Sequence, residues 1–224
     1  MIRISAACLW ILALANPSKA GAHLSAFPQV ADAAQRYIIY VHGRIIESEG
    51  TAAVSPRFGP YAYREIIEAL AAGQGDVIAP VREGDTDVFA YAETLADQIS
   101  ALVGQGVPPE NITIAGFSKG GYVTLLVANK LQNPAIRYVI MAGCVKGVFD
   151  GTDANADGLQ GSILSMVDRA DDLGFSCAPL FARNPQLTRT NDITFDAGTG
   201  HGFFYRADPL WIEQVRSWSK LAED

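Results

Sequence analysis

Ser118, an acidic cluster at Asp168, Asp171 and Asp172, and His201 are the residues whose types and order suit nucleophilic acyl transfer. In chain order they supply a nucleophile, an acid and a base. A serine hydroxyl attacks a carbonyl only when an imidazole within hydrogen-bond reach takes its proton, and a carboxylate then holds that imidazole in the right tautomer. The other two histidines fit this role less well: His23 lies close to the N-terminus, and His42 reads as a structural histidine supporting a loop.

The elements around these residues must bring them together. Ser118 is the centre of Gly116-Phe117-Ser118-Lys119-Gly120, with Gly121 next. The run 111–115, Asn-Ile-Thr-Ile-Ala, predicts a short buried strand, and 122–131 predicts a helix. A serine at a sharp strand-to-helix turn projects its hydroxyl above the sheet edge, and glycines leave room for the backbone to double back. The start of the helix adds unpaired N–H groups that favour negative charge developing beside the serine. His201 lies in Asp196-Ala197-Gly198-Thr199-Gly200-His201-Gly202-Phe203-Phe204, where flanking glycines let the imidazole reach across.

From about residue 36, short β-branched runs alternate with amphipathic stretches, the pattern of a parallel sheet covered on both faces. Strands are expected at 37–41, 76–79, 111–115, 137–142, 162–167 and 192–195. Helices are expected at 61–72, 88–103, 122–131 and 209–221. In the last of these, Trp211, Ile212, Val215, Trp218 and Leu221 form one apolar stripe, which reads as core. The Gly- and Asp-rich stretch 145–161 is where a lid or binding loop would sit.

Taken together, these motifs resemble the α/β-hydrolase family over roughly residues 36–222: His42-Gly43 after the first core strand, Gly-Phe-Ser-Lys-Gly after the third, an acid after the fifth and His201 after the sixth. The resemblance implies an α/β-hydrolase fold with a mostly parallel sheet of about six strands and helices on both faces. It also implies an oxyanion hole made by the backbone N–H groups of Arg44 and Lys119. The family's acid follows a turn glycine by three residues; Asp168 replaces that glycine, which places the acid at Asp171, with Asp168 and then Asp172 as alternatives. The activity implied is hydrolysis of a small-molecule carboxylic ester through Ser118, His201 and Asp171, with no cofactor required. A thioesterase or peptidase would use the same parts, and a non-catalytic binding protein on the same fold is the reading from a different class.

Composition narrows the setting. The 224-residue chain, 49% hydrophobic, suits one domain at 23–224. Residues 1–22 read as a secretory signal: Arg3, an apolar run from Ala6 to Ala15, then small residues that fit cleavage after Ala20 or Ala22. That run is too short for a stable membrane span, so a periplasmic or secreted protein is expected. Cys144 and Cys177 remain as a pair and are expected to be joined in an oxidising compartment, with two buried thiols as the alternative. A formal net charge of −7 without a Lys/Arg cluster argues against nucleic acid as a partner. Asp153-Ala154-Asn155-Ala156-Asp157-Gly158 matches half of a calcium loop, but its twelfth position is Leu164 instead of a bidentate Glu; a structural calcium or a solvated acidic loop are the two readings. Arg44, Arg82, Lys119 and Arg169 are expected near the rim, as solvated charge or as a preference for anionic substrates. Asp150 and Glu47 have no assignment from the sequence.

Overall fold

A computed structural model describes residues 21–73, 75–144 and 156–220. Its frame is a parallel seven-stranded sheet built from β1 (His23–Leu24), β2 (Tyr37–Val41), β5 (Asp76–Ile78), β6 (Ile112–Phe117), β7 (Arg137–Met141), β8 (Ser162–Asp168) and β9 (Arg189–Phe195). A two-stranded antiparallel hairpin, β3 (Val54–Ser55) and β4 (Gly59–Pro60), stands apart from it. In the main sheet the order is β1-β5-β2-β6-β7-β8-β9, so the chain runs outward in both directions from β2. The helices are α1 (Arg44–Glu49), α2 (Tyr63–Ala71), α3 (Val88–Gly104), α4 (Lys119–Leu131), α5 (Ala178–Arg183) and α6 (Pro209–Trp218).

Alternation along the central strands explains the two layers of helices. Ile39, Val41, Ile112, Ile114, Tyr138 and Ile140 point to one face, where they pack with Leu95 and Ile99 of α3 and Val123 and Val127 of α4. Ile38, Tyr40, Ala115, Val139, Met141, Leu164 and Met166 point to the other, against Ile66 and Leu70 of α2 and Trp211 and Val215 of α6. A strand buried on both faces is apolar throughout, which is why β2 and β6 read as continuous hydrophobic runs. At one edge, β9 carries Arg189, Thr190, Asn191 and Asp192 outward, a polar strand that resists pairing with another chain.

The expected architecture is present, with corrections at its margins. About six strands were expected and seven are present among the described residues; the one without a sequence signal is β1, which is two residues long and too short to be periodic. β9 begins at Arg189, three residues before the expected start, since polar edge residues lack the apolar alternation that marks a strand. α4 begins at Lys119, directly after the serine, and not at Tyr122: its glycines, poor helix formers, are required there by close packing. Backbone hydrogen bonds already occur at residues 21 and 22, ahead of the expected domain start at residue 23. Gly21 N–H donates to Ala71 O at 2.9 Å, and Ala22 O accepts Val77 N–H at 2.8 Å.

Residues 1–20, most of the expected signal, lie outside the described residues, as do 145–155 of the expected lid region and Asp153 and Asn155 of the calcium motif. Among the described residues no helix is long and apolar enough to cross a membrane.

Candidate active site

β2 and β6 are neighbours, with Val41 in register with Gly116, so Gly43 and Ser118 emerge side by side at the carboxyl ends of the strands. A sheet whose connections diverge at this point opens a crevice there. The turn holding Ser118 is sterically exacting. A Cβ at Gly116 would lie 2.2 Å from Gly120 O, and one at Gly120 would lie 1.9 Å from Val41 O. Ser118 itself has φ 53° and ψ −120°, a backbone conformation that a non-glycine residue adopts only when its surroundings enforce it. Its N–H donates to Met141 O at 2.9 Å, which pins the turn to β7.

Ser118 Oγ is 2.9 Å from His201 Nε2, and His201 Nδ1 is 2.8 Å from Asp171 Oδ2. Asp171 Oδ1 accepts the N–H groups of Leu173 and Gly174 at 2.8 and 2.9 Å, so the carboxylate is fully used and its side chain is 0% exposed. With Asp171 accepting, the proton lies on Nδ1 and Nε2 is free to take one from the serine. His201 belongs to a 3₁₀ helix, Gly200–Tyr205, and its ring packs on Phe117 with centroids 4.8 Å apart.

Of the three acidic candidates, Asp171 alone meets the histidine. Asp168, buried at the end of β8, accepts N–H groups from Ala197, Gly198, Thr199 and Gly200 at 2.6–3.4 Å. It therefore fixes the loop that delivers His201. Asp172 pairs with Arg57 through both oxygens at 2.9 Å, and that guanidinium holds its carboxyl below the usual range.

Arg44 and Lys119 are the first residues of α1 and α4, where backbone N–H groups have no partner within the helix. Both line a cleft of about 870 Å³ together with Ser118 and His201, and Phe58, Leu173 and Tyr205 give it apolar wall. Phe58 comes from the hairpin: its ring lies 5.9 Å from His201 and 5.4 Å from Tyr205. Phe117 also lines the cleft, whereas Tyr40, Phe203 and Phe204 are buried in the core. A groove of about 1000 Å³ bordered by His23, Tyr63, Glu68 and Arg206 contains none of Ser118, Asp171 and His201.

His42 is a structural residue. Its Nε2 accepts Arg82 N–H at 2.9 Å, so Nδ1 carries the proton and donates to Gly43 O at 2.9 Å. Burial, reinforced by the Arg82 charge, pushes its pKa down to about 3 and keeps the ring neutral.

Three of the four cations expected at the rim are committed to carboxylates: Lys119 and Arg82 to Glu47, Arg169 to Asp196. Glu47 was invisible in this role from sequence, because its partners lie 35 and 72 positions away.

Cys144 and Cys177 form a disulfide with Cα atoms 5.5 Å apart. It joins the segment after β7 to the one after the acid-bearing turn, where Phe175 N–H also donates to Cys144 O at 2.7 Å. In the calcium motif, Asp157 pairs with Arg183, and no cluster of potential metal ligands occurs among the described residues.

Residues 77–148 match the family model for phospholipases and carboxylesterases. Among solved structures, the chain is similar to a lipase-esterase related protein from Clostridium acetobutylicum, with 14% identity over 84% of this chain and 97% of that one and a TM-score of 0.55. It is also similar to Est1E from Butyrivibrio proteoclasticus, solved with ferulic acid bound, with 14% identity over 81% and 87% of the two chains and a TM-score of 0.55. No curated protein matches the sequence.

Proposed function

Taking the chain as a member of the α/β-hydrolase fold family, we propose that it is a serine hydrolase acting on a small carboxylic ester. The observation that carries this reading is the unbroken hydrogen-bonded line from Ser118 Oγ through His201 to Asp171. In the reaction, Ser118 Oγ attacks the carbonyl carbon while Nε2 of His201 takes its proton, and Asp171 stabilises the imidazolium. The N–H groups of Arg44 and Lys119 receive the carbonyl oxygen as it becomes an oxyanion. His201 then protonates the departing alcohol, and water, activated by the same imidazole, releases the acid from Ser118. The phospholipase/carboxylesterase family match supports an ester over an amide.

Hydrolysis of p-nitrophenyl acetate and butyrate tests this. Ser118→Ala should reduce kcat/KM by about 10³-fold or more, since removing a member of such a unit leaves only the contribution of the oxyanion hole and binding. Full activity in that variant would overturn the assignment.

A periplasmic or secreted location is part of the same reading, supported by the Cys144–Cys177 bond and the N-terminal pattern. Cleavage after Ala20 is favoured over Ala22, because it preserves the Ala22 carbonyl that β5 uses at Val77. Peptide mapping of exported material without reduction should find Gly21 at the N-terminus and the two cysteines linked. A retained N-terminal segment with two alkylatable thiols would contradict both.

A further inference from the structure

We propose that Glu47 is a positioning residue that sets the oxyanion hole, an inference that rests on the serine-hydrolase reading above. The two N–H donors of that hole belong to different elements. Lys119 opens α4, which is thirteen residues long and packed into the core. Arg44 opens α1, which has only six residues and buries Ile46 alone. The first turn of α1 is closed by a long bond, Ile46 N–H to Gly43 O at 3.4 Å. A helix this short does not hold its own orientation, so something else must fix it against α4.

Glu47, on α1, does so with both carboxylate oxygens. Oε2 accepts Lys119 Nζ at 2.6 Å, tying α1 to the residue that follows the serine. Oε1 accepts Arg82 Nε at 2.8 Å, and Arg82 in turn donates through Nη2 to His42 O and through its backbone N–H to His42 Nε2. His42 immediately precedes Gly43-Arg44, so this second arm fixes the strand exit from which the other donor emerges. Lys119 Nζ also donates to Thr86 O at 3.0 Å, holding the 84–86 segment that lines the cleft.

The side chains of Glu47 and Arg82 are 3% and 0% exposed and that of Lys119 is 21% exposed, so water screens this network little. A glutamine at 47 accepts from one cation but turns its NH₂ toward the other. The network then opens, and buried positive charge is left without its counter-charge.

The test uses the full-length mature protein, a p-nitrophenyl ester and a short alkyl trifluoromethyl ketone. Ser118 Oγ adds to the ketone carbon, the carbonyl electron pair moves to oxygen, and the serine proton passes to His201. The resulting hemiketal oxyanion occupies the hole, so the ketone's inhibition constant reports on the donors. Glu47→Gln should lower kcat about 100-fold, the scale set by misplaced or missing oxyanion donors, with KM changed less than about threefold. The inhibition constant should rise by the same factor as kcat falls.

Lys119→Met breaks one arm while leaving Glu47 paired with Arg82; it should show the same split at about tenfold, and Lys119→Arg should recover most of the loss. If Glu47→Gln does not fold, the Lys119 pair decides. Wild-type kcat and ketone inhibition in both broken-arm variants, or a change confined to KM or melting temperature, overturns the inference and leaves the serine-hydrolase reading intact. A wild-type protein that neither hydrolyses the ester nor binds the ketone removes that reading and this inference together.

Discussion

At the scale of single residues, the two neighbouring aspartates have separable work. In Asp171→Asn the retained Oδ1 still accepts Leu173 and Gly174, but the new NH₂ faces His201 Nδ1 and favours the wrong imidazole tautomer. Turnover should fall by about 10³- to 10⁴-fold with little change in melting temperature. Asp168→Asn should do the reverse in emphasis, costing about 1–3 kcal/mol of stability as an amide NH₂ meets the backbone N–H groups of the 197–200 loop. Ester kinetics with thermal melts of both variants check this, and a melting loss larger in Asp171→Asn would refute it. His42 gives a pH signature of its own. Its pKa is 6.5 unfolded and about 3 folded. Between those values the unfolded chain binds more protons, so stability rises with pH across the window and is lost as pH falls through it. The contribution missing at pH 4 is about 3 kcal/mol. His42→Gln, whose amide can accept from Arg82 and donate to Gly43, should flatten the decline in melting temperature from pH 6.5 to 4; identical slopes would contradict the burial of a neutral ring.

At the scale of elements, what the sequence revealed and what it hid follow from how far each contact reaches. β2, β6 and α3 were legible because their apolar spacing is local, and Ser118 was legible because glycines at 116 and 120 mark a turn that admits no Cβ. The hairpin β3–β4 was not, since two-residue strands carry no period, yet it brings Phe58 to the imidazole and Arg57 to Asp172. The acid was placed at Asp171 with Asp168 and Asp172 still open as alternatives, because one turn separates them and the choice depends on a loop some 30 positions away. Glu47 was silent for the same reason. The disulfide closes the connection across a separation of 33 residues, which the chain-entropy model values at about 3–4 kcal/mol, and it does so beside the turn that carries Asp171.

At the scale of the whole molecule, the sheet order gathers residues 42–44, 118–119, 171 and 201 at one end of the strands although they span most of the chain. That convergence, with apolar cleft wall from the hairpin and from Leu173, is what makes an activated serine the central claim. The direct measurement is intact-mass labelling with a fluorophosphonate followed by peptide mapping, since this reagent reports an activated serine without knowledge of the substrate. The account predicts a single adduct on Ser118, absent from Ser118→Ala. An unlabelled wild-type protein, or an adduct that persists on another residue in Ser118→Ala, would contradict it.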